Sequence, residues 1–133
     1  MRYMLMMHAP RATSGDYQIS GWSPDDFKRH IAFMHSFNKE LTDRGELVGA
    51  EGLSPPGDAR IVRAGKNGVP AVTDGPFPEA KEFLAGYWIV EVDTPERAYE
   101  IAGKASSAPG PGGTPLNMAI EVRQVMNGPL PDA

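Results

Sequence analysis

Two runs of residues that are apolar on both alternating faces constrain the fold more than any other feature of the chain. Residues 2–8 and Phe83–Val92 carry apolar side chains at both odd and even positions. A strand with one face in water alternates apolar and polar residues, whereas a strand covered on both sides does not. The two runs therefore predict the central strands of a sheet that is covered on both faces.

An amphipathic helix is predicted between these two runs. Ser23 followed by Pro24 supplies an N-cap and a first-turn proline, and Gly45 ends the pattern near residue 44. Two polar residues, His30 and Asn38, fall on the apolar face of this helix. The apolar residues of that face are Phe27, Ile31, Met34, Phe37 and Leu41.

The rest of the chain predicts a second helix and several shorter strands. Thr94 before Pro95 opens the helix, which ends at about Lys104. Alternation in the last strand places Glu121 and Arg123 on one face. The strands are predicted at 46–53, 60–64, 69–73 and 116–126, and the turn Gly65-Lys66-Asn67-Gly68 joins the second and third of them into a hairpin.

The order of these elements predicts an α+β domain. With the hairpin set aside, the order is β-α-β-β-α-β, the ferredoxin-like pattern. Two helices cover only one face of a four-stranded sheet, so we expect a second copy of the chain on the other face, in a homodimer. We assign residues 1–126 to this single domain and residues 127–133, with two prolines, to an irregular tail.

Composition argues against several classes of function. A net charge of −4 with scattered Lys and Arg is unlike a nucleic-acid-binding surface. The absence of Cys excludes disulfides and thiolate metal sites. The apolar run Met4-Leu5-Met6-Met7 is too short for a membrane span or a signal peptide. We therefore expect a cytoplasmic protein that binds neither membranes nor nucleic acid.

The histidines do not predict a metal site. His30 and His35 are five residues apart, so they point to different sides of a helix. His8 is isolated at the end of a predicted strand. Neither a metal nor a cofactor is predicted.

One motif resembles a known family. Thr73-Asp74-Gly75-Pro76-Phe77, followed by Glu79, Lys81-Glu82 and Gly86-Tyr87, resembles the DGPF branch of the YCII-related family. The resemblance extends to Arg2-Tyr3-Met4-Leu5 and to Glu121-Val122-Arg123-Gln124-Val125. It implies a ferredoxin-like fold that usually assembles as a dimeric α/β barrel, similar to muconolactone isomerase-type proteins.

The resemblance also bears on chemistry. DGPF proteins mostly lack an assigned activity, and many are encoded beside alternative sigma factors. In the wider family a His and an Asp are the proposed catalytic pair, and a related member eliminates chloride from a chlorinated aromatic. The family's helical His-Leu-x-Tyr-Leu matches His30-Ile31-Ala32-Phe33-Met34, which carries the family histidine onto His30. The family's Asp has no counterpart in Ser106-Ser107-Ala108-Pro109, and Pro78 and Ala80 replace the usual Ala and Thr of the motif.

Three hypotheses of function follow, the last of which is a scaffold that only binds a partner. In the first, the protein is a cofactor-free isomerase or lyase for a small organic molecule, with His30 as general acid or base and Asp74 or Glu82 orienting it. In the second, it is a non-catalytic ligand-binding or regulatory accessory module associated with an alternative sigma factor. His30 can equally be a core histidine bonded to a backbone carbonyl, and Asp74 can cap its own turn.

Four further residues are predicted to bind substrate. Lys81 is suited to an anionic group, and Tyr3 and Tyr87 are suited to the walls of a pocket. Arg123 is predicted on the sheet face that looks away from the helices. For the two tyrosines the alternative is core packing, and for Arg123 it is an ion pair with Glu121.

Overall fold

A computed structural model of the chain describes residues 1–10, 21–77 and 80–126, and it confirms an α+β architecture. The predicted loop after the first strand falls largely on residues 11–20, which lie outside the described residues together with Glu79 and the predicted tail 127–133. The elements are β1 (Arg2–Pro10), α1 (Pro24–Asp43), β2 (Leu47–Gly52), β3 (Arg60–Arg63), β4 (Ala71–Asp74), β5 (Glu82–Glu91), α2 (Pro95–Ser106) and β6 (Ile120–Gln124).

Helix α1 begins and ends where the sequence predicts. The Ser23 hydroxyl accepts a hydrogen bond from the Asp26 amide at 3.2 Å, which satisfies one of the free amides of the first turn. At the other end Gly45 has a φ of 72°, a left-handed conformation that glycine adopts without steric cost. These two ends fix which residues of the helix face the sheet.

The four-stranded sheet is antiparallel, in the order β2-β5-β1-β6. The two runs that are apolar on both faces are thus its central strands, as predicted. This strand order is compatible with a ferredoxin-like architecture. A register shift follows Met7, which lies opposite Gly86, so that His8 lies opposite Leu84.

One face of the sheet packs against both helices. The residues of β1 that point to this side are at most 6% exposed, namely Tyr3, Leu5, Met7 and Ala9. Trp88 of β5 meets Phe37 of α1 edge to face, with 5.5 Å between ring centroids. Its indole N–H donates to the Asn38 side-chain oxygen at 2.8 Å. The polar Asn38 on the apolar face of α1 therefore pairs with the core tryptophan.

The last strand is shorter than predicted. Only Ile120–Gln124 of the predicted stretch 116–126 forms a strand. Asn117 has a φ of 52°, and its amide donates to the Ser106 carbonyl at 2.9 Å. The segment before β6 therefore folds back onto the end of α2, which the alternation of side chains does not reveal.

Strands β3 and β4 form a separate two-stranded sheet, as the hairpin signal predicts. A Cβ on Gly65 would lie 1.9 Å from the Val69 carbonyl oxygen, so the connecting turn requires glycine there. Strand β4 leads into the cis peptide bond between Gly75 and Pro76. The Gly75 amide donates to the Ala59 carbonyl at 2.9 Å, which ties this turn to the start of the hairpin.

Candidate functional site on the open face of the sheet

The sheet face turned away from the two helices, here named the open face, brings several of the functional candidates together. Because paired residues on neighbouring antiparallel strands point to the same side, the register assigns its members. Met6 lies opposite Tyr87 on β5 and opposite Glu121 on β6. Met4 lies opposite Ile89 and Arg123 in the same way. The centre of the open face is thus apolar, with charges on its outer strands.

A histidine and a carboxylate meet on this face. His8 Nε2 lies 3.0 Å from Glu121 Oε1, although the two residues are 113 positions apart in the chain. Both side chains are accessible, at 26% and 52% exposed. A carboxylate held this close fixes the orientation of an imidazole ring.

Two of the four predicted substrate-binding residues share the open face with this pair. Tyr87 lies across Met6 from Glu121, and Arg123 follows Glu121 by two residues on β6. Tyr3 is 6% exposed and lies in the core on the opposite face. Lys81 precedes β5 and is exposed. The structure therefore groups Tyr87 and Arg123 with each other but not with Tyr3.

His30 lies in the protein interior, on the helix side of the sheet. It is 4% exposed, and its Nδ1 lies 3.0 Å from the Pro109 carbonyl oxygen. Because a carbonyl only accepts, Nδ1 carries the proton and donates it. The ring also meets Trp22 edge to face at 5.2 Å. The contacts of His30 are therefore those of a packed core residue that satisfies a loop carbonyl.

Asp74 and Glu82 lie at the two ends of the turn that follows the hairpin. The Asp74 carboxylate is 97% exposed and lies 3.7 Å from the Arg60 guanidinium, across the hairpin. Glu82 begins β5 opposite Pro10 and lines a cleft together with Pro76 and Phe77. Within the described ranges, no hydrogen bond or ion pair joins either carboxylate to His30.

Sequence reasoning missed His8 as a partner of Glu121. Alternation along β1 places His8 on the same side as Met4 and Met6, and alternation along β6 places Glu121 away from the core residues Ile120 and Val122. These two observations predict a shared face. The register between β1 and β6, which brings the side chains within hydrogen-bond distance, is not encoded in either pattern.

Residues 1–10, 21–77 and 80–126 contain no group of three or more His, Cys, Asp or Glu side chains placed to hold a metal ion. Over the same ranges, no helix has the length and apolar character needed to cross a membrane.

Two comparisons bear on the identity of the chain. The model of the YCII-related domain matches residues 1–110. An uncharacterized protein of Rhizobium meliloti (strain 1021) is 26% identical over 118 residues, which cover 89% of this chain and 90% of that protein.

Proposed function

Since the chain belongs to the YCII-related family, we propose that it is a cofactor-free acid–base catalyst that acts on a small organic molecule at the open face of its sheet. The observation that carries the proposal is the 3.0 Å contact between His8 Nε2 and Glu121 Oε1. A histidine that is oriented by a carboxylate and that a substrate can reach is suited to general acid–base catalysis.

The pairing assigns a role to each ring nitrogen. An ionised carboxylate only accepts hydrogen bonds, so His8 donates to Glu121 through Nε2. In the neutral ring, Nδ1 is then the atom with a free lone pair, and it is the atom that takes a proton from the substrate. Glu121 stabilises the imidazolium that forms, as an adjacent negative charge favours the protonated ring.

The reaction starts with transfer of a proton from a carbon next to a carbonyl to Nδ1 of His8. The electron pair of the broken C–H bond moves to the carbonyl oxygen, and the resulting enolate has two fates. Return of the proton from Nδ1 to the far carbon of a conjugated dienolate restores the carbonyl with a shifted double bond and completes an isomerisation. In an elimination the enolate electrons re-form the carbonyl and a new C=C bond, the leaving group departs from the β-carbon with the electron pair of its own bond, and the proton on His8 passes to solvent. On the same face, Tyr87 is placed to donate to the enolate oxygen and Arg123 to pair with a substrate carboxylate.

A second copy of the chain is the cover that we propose for this face, in a homodimer with the two open faces toward each other. Support comes from the four apolar side chains at its centre, which are half-buried in the single chain, namely Met4, Met6, Tyr87 and Ile89. A dimer of this kind is a dimeric α/β barrel built on a ferredoxin-like sheet. It would shield the His8–Glu121 pair from bulk water, which strengthens the electrostatic interactions within a site.

The geometry favours His8 over His30 as the acid–base residue. His30 donates Nδ1–H to a backbone carbonyl and is almost fully buried, so a substrate reaches it only if the surrounding core opens. His8 already has both the carboxylate partner and the accessibility. Asp74 pairs with Arg60 across the hairpin and Glu82 lines a cleft, so neither of the carboxylates that the sequence associates with His30 accompanies it.

A regulatory accessory role is the second candidate, and the β3–β4 hairpin is the observation that favours it. Val62 and Val72 lie opposite each other on the hairpin and are 59% and 58% exposed. Exposed apolar pairs of this kind are typical of surfaces that bind another protein. The two proposals need different residues, His8 for catalysis and Val62 with Val72 for partner binding.

The test of the catalytic proposal is deuterium exchange. A panel of carbonyl compounds, including unsaturated lactones and β-chloro ketones, is incubated with the protein in D2O, and loss of the α-proton signal is followed by NMR. We expect His8→Gln to lower the exchange rate about 100- to 10,000-fold, the usual contribution of a general base. His35→Gln, an exposed histidine on α1, and Val62→Asp are the matched controls, and both should leave the rate unchanged. Exchange by the natural protein no faster than by His8→Gln, on every compound, contradicts the proposal.

A further inference from the structure

A cleft of about 420 Å³ lies beside the turn that follows the hairpin. Its volume falls within the range of roughly 300–1,000 Å³ that is typical of small-molecule sites. Three parts of the chain enclose it: the segment after β2, the Gly75–Pro76 turn and the start of β5. The described lining residues are Leu53, Ser54, Pro55, Pro56, Ala59, Pro76, Phe77, Ala80, Glu82, Phe83 and Leu84.

The lining of the cleft is apolar except at two points. Among the described lining residues, Glu82 is the one with an ionisable side chain, and Ser54 is the one other polar side chain. The nearby Arg60 guanidinium is turned to Asp74 and to the carbonyls of Gly57 and Ala59. In the described part of the chain, no hydrogen bond or ion pair is shown for the Glu82 carboxylate. The Glu82 carboxylate thus lies at an apolar cleft, and no cationic side chain of the described residues pairs with it.

The register of the sheet places one side of this cleft a single strand away from His8. Leu84, which lines the cleft, lies directly opposite His8 on β1. Side chains directly opposite each other on antiparallel strands are about 4.5–5.5 Å apart at Cβ. Glu82 lies opposite Pro10 on the same side. Leu84 is therefore the lining residue that lies between the cleft and His8.

We propose that the cleft is the specificity pocket of this site and that it takes a compact apolar molecule carrying a protonated amine, which pairs with Glu82. The apolar part of the ligand displaces water from the leucine, proline and phenylalanine side chains, and this removal of apolar surface from water favours binding. Glu82 is exposed, so the ammonium group pairs with its carboxylate at the cleft through a charge-assisted hydrogen bond that remains in contact with solvent. This substrate class rests on the proposed function, but binding itself is measured without turnover.

The experiment compares three probes that share one apolar body. Phenethylamine carries a positive charge, phenethyl alcohol is neutral, and hydrocinnamate carries a negative charge. Their dissociation constants are measured by NMR titration of the full chain, with chemical-shift changes at the Leu53 and Leu84 methyl groups locating the site. We expect phenethylamine to bind about threefold to fivefold more tightly than phenethyl alcohol, which corresponds to one exposed ion pair. Hydrocinnamate should bind more weakly than either.

Glu82→Gln removes the charge and keeps the shape, so it should abolish the preference for the amine while the alcohol still binds. Glu51→Gln is the matched control, since Glu51 is an exposed carboxylate of the same sheet that is not among the lining residues. Equal affinity for amine and alcohol, a preference that survives Glu82→Gln, or no binding of any probe overturns the proposal. His8→Gln should bind the probes normally, so a failure of catalysis and a failure of recognition give different results.

Discussion

The two faces of the central strand β1 differ in what they do with polar groups. On the helix side, Leu5 and its neighbours are buried, and the buried polar residue there, His30, is bonded to the backbone carbonyl of Pro109. On the open face, His8 pairs with a carboxylate and both remain accessible. Burial of a charge is costly unless it is paired, so the helix side is suited to structure. The open face is the side where a histidine paired with a carboxylate remains accessible.

The largest effect that this comparison predicts is on stability, and it should appear on the helix side alone. Leu5 is fully buried, so Leu5→Ala should lower the free energy of unfolding by about 2–5 kcal/mol through lost contacts and a cavity. Met6→Asp, at the next position of the strand, should keep the fold but halve the mass in solution, because it puts a charge in the proposed dimer interface. Urea unfolding and light scattering measure the two quantities. A large loss of stability with unchanged mass in Met6→Asp would show that the open face is part of the core.

The second prediction compares the two histidines. His30→Leu removes the donor to the Pro109 carbonyl and leaves that oxygen without its partner, so we expect a loss of about 1–3 kcal/mol in stability. The exchange rate per folded molecule should stay near that of the natural protein. The control is His35→Leu, on the exposed side of the same helix, which should change stability by less than about 0.5 kcal/mol. The reverse pattern, with stability unchanged and exchange lost in His30→Leu, would move the catalytic role back to His30.

The sequence carries enough information to predict the elements and the side of each that is buried. Ser23, Pro24 and Gly45 determine the ends of α1 through local hydrogen bonds and backbone preferences, and these signals need no knowledge of the rest of the fold. The burial of His30 also follows from the helix period. Its partner does not, because Pro109 is 79 residues away and meets it only through packing of the loop after α2.

The candidate site is harder to predict for the same reason. His8 and Glu121 come together only because β1 and β6 pair in one particular register. A shift of one residue would turn one of the two side chains to the other face. The motif around Asp74 identifies the family, yet the exposed Asp74 serves the hairpin through Arg60. The residues that identify the family are therefore not the residues that form the proposed catalytic pair.

The smallest predicted effect concerns the ion pair that joins the helix side to the edge of the sheet. Arg97 of α2 donates to both oxygens of Glu46, at 2.8 Å each, and Arg44 donates to one of them at 3.1 Å. The hydrogen bonds from Arg97, with a smaller contribution from Arg44, hold the pKa of the Glu46 carboxyl below its ordinary value. A carboxyl whose pKa is lower in the folded state stabilises the fold at neutral pH, and this contribution is lost as pH falls through the lowered pKa.

Glu46→Gln should therefore cost about 1 kcal/mol at neutral pH, as expected for a partly buried pair with good geometry. The difference from the natural protein should shrink in acid, since protonation removes the charge of Glu46 in both cases. Urea unfolding at a series of pH values from neutral to acid measures the difference. Glu51→Gln on the exposed edge strand is the control and should show no such trend. A difference that stays constant across the series would mean that Glu46 stabilises the fold through its shape and not through its charge.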